Sequence, residues 1–229
     1  MKTTMVARQL LAIGDSHLEA LKLAADLRIL NVEHAHFLSV PGATVIGLRN
    51  PNSSTDALNL FRSFLSLHTA DSHLLVHLGE VDCGFVMWWR AQKYGEDVCN
   101  QFRESICAYR QFLSDIIKVG FKRICLTGAS LPTIDDHINM SEVANKRSEI
   151  VVGIVERTQL TLRYNRAVRK LAREMKLSYF DITESVLSRS SGVVHEFFRN
   201  PDPRDHHLDK SKTVGIWAGK CNAFLSDDL

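Results

Sequence analysis

The stretch Val6-Ala7-Arg8-Gln9-Leu10-Leu11-Ala12-Ile13-Gly14-Asp15-Ser16-His17 decides how the chain is read. Val6 to Ile13 is a short, mostly apolar run of strand length, stopped by Gly14. From His17 to Leu30 the pattern changes period, with Leu18, Leu21, Ala25 and Arg28 at helical spacing. A buried strand running straight into a helix predicts one strand–helix unit of a parallel sheet. Ser16 stands at the junction, where a helix N-terminus favours negative charge. Serine in that position is commonly a helix N-cap; the sharper reading is a nucleophile at the mouth of a cleft.

The same alternation continues along the chain. Strands are expected at Val32 to Val40, Leu74 to Leu78, Arg123 to Thr127 and Ser178 to Ile182. Helices are expected at Asp56 to Leu67, Tyr94 to Val119 (closed by Gly120), Val151 to Met175 and Lys210 to Leu225, with Asp209 as N-cap. Met87-Trp88-Trp89-Arg90 is placed on a loop, either as core packing or as a cleft wall. Five strands alternating with helices predict an α/β, three-layer α/β/α fold around a five-stranded parallel sheet. Residues 1–229 read as a single domain, with a polar segment at 131–150 expected as an insertion or lid.

Composition bounds the function. Of 229 residues, 45% are hydrophobic and 24% charged, which excludes a disordered or collagen-like chain. Lys and Arg number 28 against 26 Asp and Glu, a net charge of +2 that gives no footprint for nucleic acid or anionic lipid. The expected partner is therefore a small molecule, without nucleic acid or membrane. Five cysteines with no CxxC pair argue against a zinc site or disulfide framework and fit a cytoplasmic protein with reduced thiols. No metal or cofactor is expected. His34, His36, His68, His73 and His77 are read as satisfied strand histidines, and His17 as a solvated residue of a first helical turn.

In a parallel sheet, ligands bind beyond the carboxyl ends of the strands, so the residues just after each strand carry the information. They are Gly14-Asp15-Ser16, Pro41-Gly42, Gly79-Glu80-Val81-Asp82 and Thr127-Gly128. The segment Asp202-Pro203-Arg204-Asp205-His206-His207-Leu208 stands before the last helix. In this order they resemble the blocks of the SGNH/GDSL hydrolase superfamily. Gly14-Asp15-Ser16 matches the nucleophile turn, Gly42 the second-block glycine, Gly79 to Asp82 the Gly-x-Asn-Asp block, and Asp205 to Leu208 approximates the final Asp-x-x-His block. The resemblance spans essentially the whole chain and implies a flavodoxin-like sheet. It also implies a serine esterase or acyl hydrolase for O-acyl esters, carbohydrate-linked ones among them, in which Ser16 is the nucleophile, His207 the base and Asp205 its orienting carboxylate. Asp15, Gly42, Gly79, Glu80 and Asp82 fall in the oxyanion and substrate-binding positions, with His206 and Asp202 as alternative triad members.

Two departures stand out. Val81 replaces the family's asparagine, an oxyanion donor; losing one such donor costs on the order of 3 kcal/mol. The backbone N–H groups of Ser16 and Gly42, or the Asn52 side chain, are the candidate substitutes. Arg204, not aspartate, stands three residues before His207. Two rival readings follow: an O-acyltransferase to a sugar hydroxyl with the same residues, and a catalytically silent carbohydrate-binding protein.

Overall fold

The structure, a computed structural model, describes residues 8–134 and 151–226. Five strands form one parallel sheet: β1 (Gln9–Gly14), β2 (His34–Ser39), β3 (His73–His77), β4 (Ile124–Thr127) and β5 (Ser178–Phe180), in the order β2-β1-β3-β4-β5. The expected α/β three-layer architecture is therefore the observed one. The helices are α1 (Glu19–Asp26), α2 (Ala57–Ser66), α3 (Met87–Tyr94), α4 (Val98–Val119), α5 (Ile154–Glu174), the single turn α6 (Thr183–Val186) and α7 (Lys210–Ser226).

Alternation along β1 builds two cores, because successive strand residues face opposite ways. Leu11 and Ile13 join Leu74 and Val76 of β3 under α2, α4 and α5, against Phe61, Tyr109, Phe112, Leu113, Tyr164 and Val168. Leu10 and Ala12 face the other way with Leu75 and Cys125, against Leu21 and Ala24 of α1 and Trp217, Cys221, Phe224 and Leu225 of α7. Covering both faces is why β1 and β3 read as almost unbroken apolar runs.

Helix ends follow their sequence signals. Asp209 caps α7, its Oδ1 accepting from the Ser211 N–H at 2.9 Å, and Gly120 closes α4 with φ +115°. The long helix expected from Tyr94 to Val119 is α4, which starts four residues later, at Val98. Tyr94 ends α3, Gly95 takes φ +67°, and Asp97 caps α4 by accepting from the Asn100 N–H at 2.8 Å. The Met87-Trp88-Trp89-Arg90 group lies on α3, not on a loop. It is entered through a π-helical turn, Asp82–Val86. Met87 is in the core, and the Trp88 indole N–H donates to the Cys83 carbonyl at 2.8 Å. Most of the segment expected as a lid, residues 135–150, lies outside the described residues.

Order 2-1-3-4-5 reverses direction between β1 and β3, so a crevice opens beyond their carboxyl ends. There the two parallel strands lie unusually close, with Gly14 opposite His77. The Asp15 N–H donates to the His77 carbonyl at 3.1 Å, and a Cβ on Gly14 would lie 2.1 Å from that same oxygen. Because the obstacle is backbone, it cannot rotate away. Gly14→Ala is therefore expected to destabilise the fold by at least about 3 kcal/mol, measured by urea unfolding. A change under about 1 kcal/mol would show that the contact is loose.

Candidate functional site

Ser16 follows β1 as the first residue of a 3-10 turn, Ser16–Leu18, at the rim of the crevice. The turn is made by Asp15. Its Oδ1 accepts the His17 backbone N–H at 2.9 Å and lies 3.1 Å from His17 Nδ1. Across the crevice, 190 residues later, the same local device recurs. Asp205 Oδ1 accepts the His207 backbone N–H at 2.9 Å and lies 2.6 Å from His207 Nδ1. The sequence spelling is Asp-x-His in both places. Asp205 thus reaches His207 through a tight local turn, which accounts for the missing aspartate three residues upstream.

His207 Nε2 lies 2.8 Å from Ser16 Oγ. Asp205, His207 and Ser16 therefore form one hydrogen-bonded row. The other oxygen of Asp205 accepts from Asn200 Nδ2 at 2.8 Å, which fixes the carboxylate plane. The loop that carries the row is pinned by the Asp209 N–H on the Phe198 carbonyl, at 2.9 Å. Burial, followed by the charge of His17, pushes the His207 pKa below the ordinary imidazole value against the opposing pull of Asp205. The imidazole therefore rests neutral. Burial raises the Asp205 carboxyl, but its hydrogen bonds from His207 outweigh that and hold it below the ordinary range.

The other expected site residues divide between the crevice and its foundations. Asp15 is fully buried. Burial pushes its pKa up, but His17 and His77 more than reverse this, so it stays ionised. Glu80 is 1% exposed, with Oε2 3.8 Å from His17 Nε2. Asp82 does not face the crevice. It is fully buried and accepts from the backbone N–H groups of Val45 (2.8 Å) and Ile46 (3.2 Å) and from Ser105 Oγ (3.2 Å), tying the segment after β2 to α4. Gly79, at φ +119°, lies where a Cβ would come 2.7 Å from the Tyr164 ring. Gly42 is exposed in the turn after β2 with φ +74°. Val81 is nearly buried. Asn52 is exposed, its backbone N–H on Asn50 Oδ1. Asp202 pairs with Arg204 through two 3.0 Å contacts. His206 packs its ring against His17 and His207, with centroids at 5.3 and 4.0 Å.

His17 is the largest difference from expectation. It is buried, not solvated, and its ring centroid is 4.6 Å from that of His207. The repeated Asp-x-His spelling was the available signal. Among the described residues, His17, His206 and His207 each offer a ligand atom, all within 4.8 Å of one another. Asn165 lies within α5. Its side chain accepts from the Ala129 N–H (2.8 Å) and donates to the Ala129 carbonyl (3.0 Å), setting the loop after β4. His77 meets the expectation of a satisfied strand histidine, with Nδ1 2.6 Å from Thr127 Oγ1.

No family model and no curated protein sequence matches the chain. Solved structures do. A GDSL-like lipase from Bacteroides thetaiotaomicron is 10% identical, with a TM-score of 0.59, covering 97% of this chain and 89% of its own. An inhibitor-bound aryl esterase from M. smegmatis is 14% identical with a TM-score of 0.57, covering 95% and 98%. An acetylxylan esterase from Geobacillus stearothermophilus is 13% identical with a TM-score of 0.57, covering 96% and 95%. The chain has the SGNH/GDSL-hydrolase fold. No helix among the described residues is long and apolar enough to cross a membrane.

Two buried groups beneath the crevice oppose each other in pH. Burial lowers His77 to about 4, only partly offset by Asp15, so the native state binds fewer protons than the unfolded chain between about pH 4 and 6.5. That contribution is lost as pH falls. Burial raises Asp82 to about 6 despite its three hydrogen bonds, so its contribution is lost as pH rises through that value. Each amounts to about 3 kcal/mol. In urea unfolding at pH 7 and pH 4, the destabilisation by His77→Gln is expected to shrink towards pH 4 and that by Asp82→Asn to grow. Equal pH slopes in both variants would refute the assignment.

Proposed function

We propose that the protein is a serine acyl hydrolase acting on an O-acyl ester. The observation that carries this reading is the continuous row from Asp205 through His207 to Ser16, at 2.6 and 2.8 Å. A serine hydroxyl is a weak nucleophile until a base takes its proton in the transition state. His207 is neutral, so its Nε2 can accept that proton. Asp205 holds Nδ1 and stabilises the imidazolium that forms.

In the first half-reaction, Ser16 Oγ bonds to the ester carbonyl carbon while its proton moves to His207 Nε2. The carbonyl oxygen becomes an oxyanion. Collapse breaks the bond to the alcohol, which leaves with the proton from His207, and Ser16 carries the acyl group. In the second half, water attacks the acyl carbon and gives its proton to His207. The carboxylic acid departs and Ser16 recovers its proton.

Val81 cannot donate to the oxyanion. The backbone N–H groups of Ser16 and Gly42 are assigned that role. As the first residue of its turn, Ser16 has no intrahelical acceptor for its N–H. Backbone donors at a strand end are rigid and need no reorganisation as charge develops. Glu80 lies beside His17 and is assigned to ordering the crevice wall. An O-acyl ester, with a carbohydrate as one source of the alcohol, fits the company of lipase, aryl esterase and acetylxylan esterase folds. The protein is assigned to a soluble, cytoplasmic setting and one domain.

A serine-reactive fluorophosphonate probe tests the reading. Labelling is expected in the wild type and absent in Ser16→Ala. His207→Ala is expected to lower kcat on an acetyl ester by at least about 10⁴-fold, and Asp205→Asn by roughly 10²- to 10⁴-fold, whereas Asp202→Asn leaves it within a factor of about two. Labelling that survives Ser16→Ala, or a folded wild type that never labels, overturns the proposal and favours a binding protein.

A further inference from the structure

We propose that the crevice also binds one divalent transition-metal ion, with zinc(II) as the reference ion, through His17, His206 and His207, and that the bound ion silences Ser16. The silencing half rests on the hydrolase reading above; the binding half does not.

The three imidazoles come from two segments far apart in sequence and converge at one point. Their ring centroids are 4.0, 4.6 and 5.3 Å apart, and one ligand atom of each lies within 4.8 Å of the other two. A tetrahedral zinc ion at about 2.0–2.1 Å from each nitrogen holds them roughly 3.4 Å apart. Closing the set therefore requires movements of about 1 Å, which the half-buried His206 can make by rotating its side chain.

The surroundings of two ligands are already those of a metal site. His17 and His207 each present Nδ1 to a carboxylate, Asp15 at 3.1 Å and Asp205 at 2.6 Å. A carboxylate on one ring nitrogen fixes the proton there and leaves the lone pair on the other, the arrangement that orients metal-binding histidines. In both residues the remaining nitrogen is Nε2. His17 Nε2 lies 3.8 Å from Glu80 Oε2, so three carboxylates stand close enough to offset the charge of a dication. His206 takes no step in the hydrolysis, yet completes the third corner.

The consequence follows from His207 having a single lone pair. That pair on Nε2 faces Ser16 Oγ at 2.8 Å and is the one that must take the serine proton. A zinc ion on Nε2 replaces that hydrogen bond and removes the base. No covalent or redox change is involved, so chelation restores the resting site.

The test uses the full chain carrying Cys99→Ser and Cys107→Ser, because those two exposed thiols would themselves take up zinc. Zinc is titrated against a chromophoric chelator, and fluorophosphonate labelling is followed in parallel. One ion per chain is expected. Labelling should fall in proportion to occupancy and return with EDTA. His206→Ala is expected to weaken zinc binding at least tenfold, and zinc at the concentration that silences the parent should leave its labelling at that variant's own metal-free rate. Absence of zinc uptake, uptake unchanged in His206→Ala, or full labelling of the zinc-loaded protein overturns the proposal. Failure of the metal-free protein to label would overturn the hydrolase reading and the silencing half with it, while the chelator titration decides the binding half independently.

Discussion

Everything at the crevice depends on the close pairing of the ends of β1 and β3, where Gly14 lies opposite His77. The Gly14 Cα lies so near the His77 carbonyl that no side chain fits between them, and the next N–H, from Asp15, donates to that carbonyl. This one contact brings two strand ends together at the point where the sheet order reverses. It also aims the following residues outward. Ser16 is at the rim because Gly14 and Asp15 are not free to go elsewhere.

The carboxylates beneath the rim do different work according to what reaches them. Asp15 and Asp205 each organise a turn and a ring with the same oxygen. Asp82, one strand over, is enclosed by two backbone N–H groups and a serine hydroxyl and never meets the crevice. Burying so many ionisable groups is costly unless each has a partner. The crevice meets that condition with a chain of His and Asp residues rather than with apolar packing. Such a chain suits the proposed base, which must keep its tautomer. It also concentrates imidazole nitrogens in a small volume, so the geometry proposed for proton transfer resembles the one proposed for a metal.

Legibility differed by residue. Ser16, His207 and Asp205 were readable because each stands next to a strong local signal: a strand end, a helix start, or a short turn motif. The way Asp205 reaches His207, through a tight turn that uses one oxygen for both backbone and ring, was not legible. His17 was misjudged because its neighbours in sequence say first helical turn, whereas its neighbours in space are His206, His207 and Glu80. Asn200 and Asn165, which steady Asp205 and the loop after β4, carry no sequence mark that separates them from ordinary polar loop and helix residues. Met87 to Arg90 reads as loop yet is helical, and α4 starts at Val98 rather than Tyr94, because Gly95 and the Asp97 cap separate two helices within a few residues.

By itself the sequence determined the layer architecture. Apolar period and strand-end glycines are local properties, and a parallel sheet covered on both faces follows from them with little freedom. It also determined which residue types stand at the carboxyl ends of the strands. Only the tertiary structure decided which of two adjacent histidines meets Ser16, which acids are foundations and which face the crevice, and that three imidazoles share one point. Those outcomes depend on distances between segments as much as 191 residues apart, set by strand order and by the close strand pairing at Gly14, and no local pattern encodes a distance of that kind.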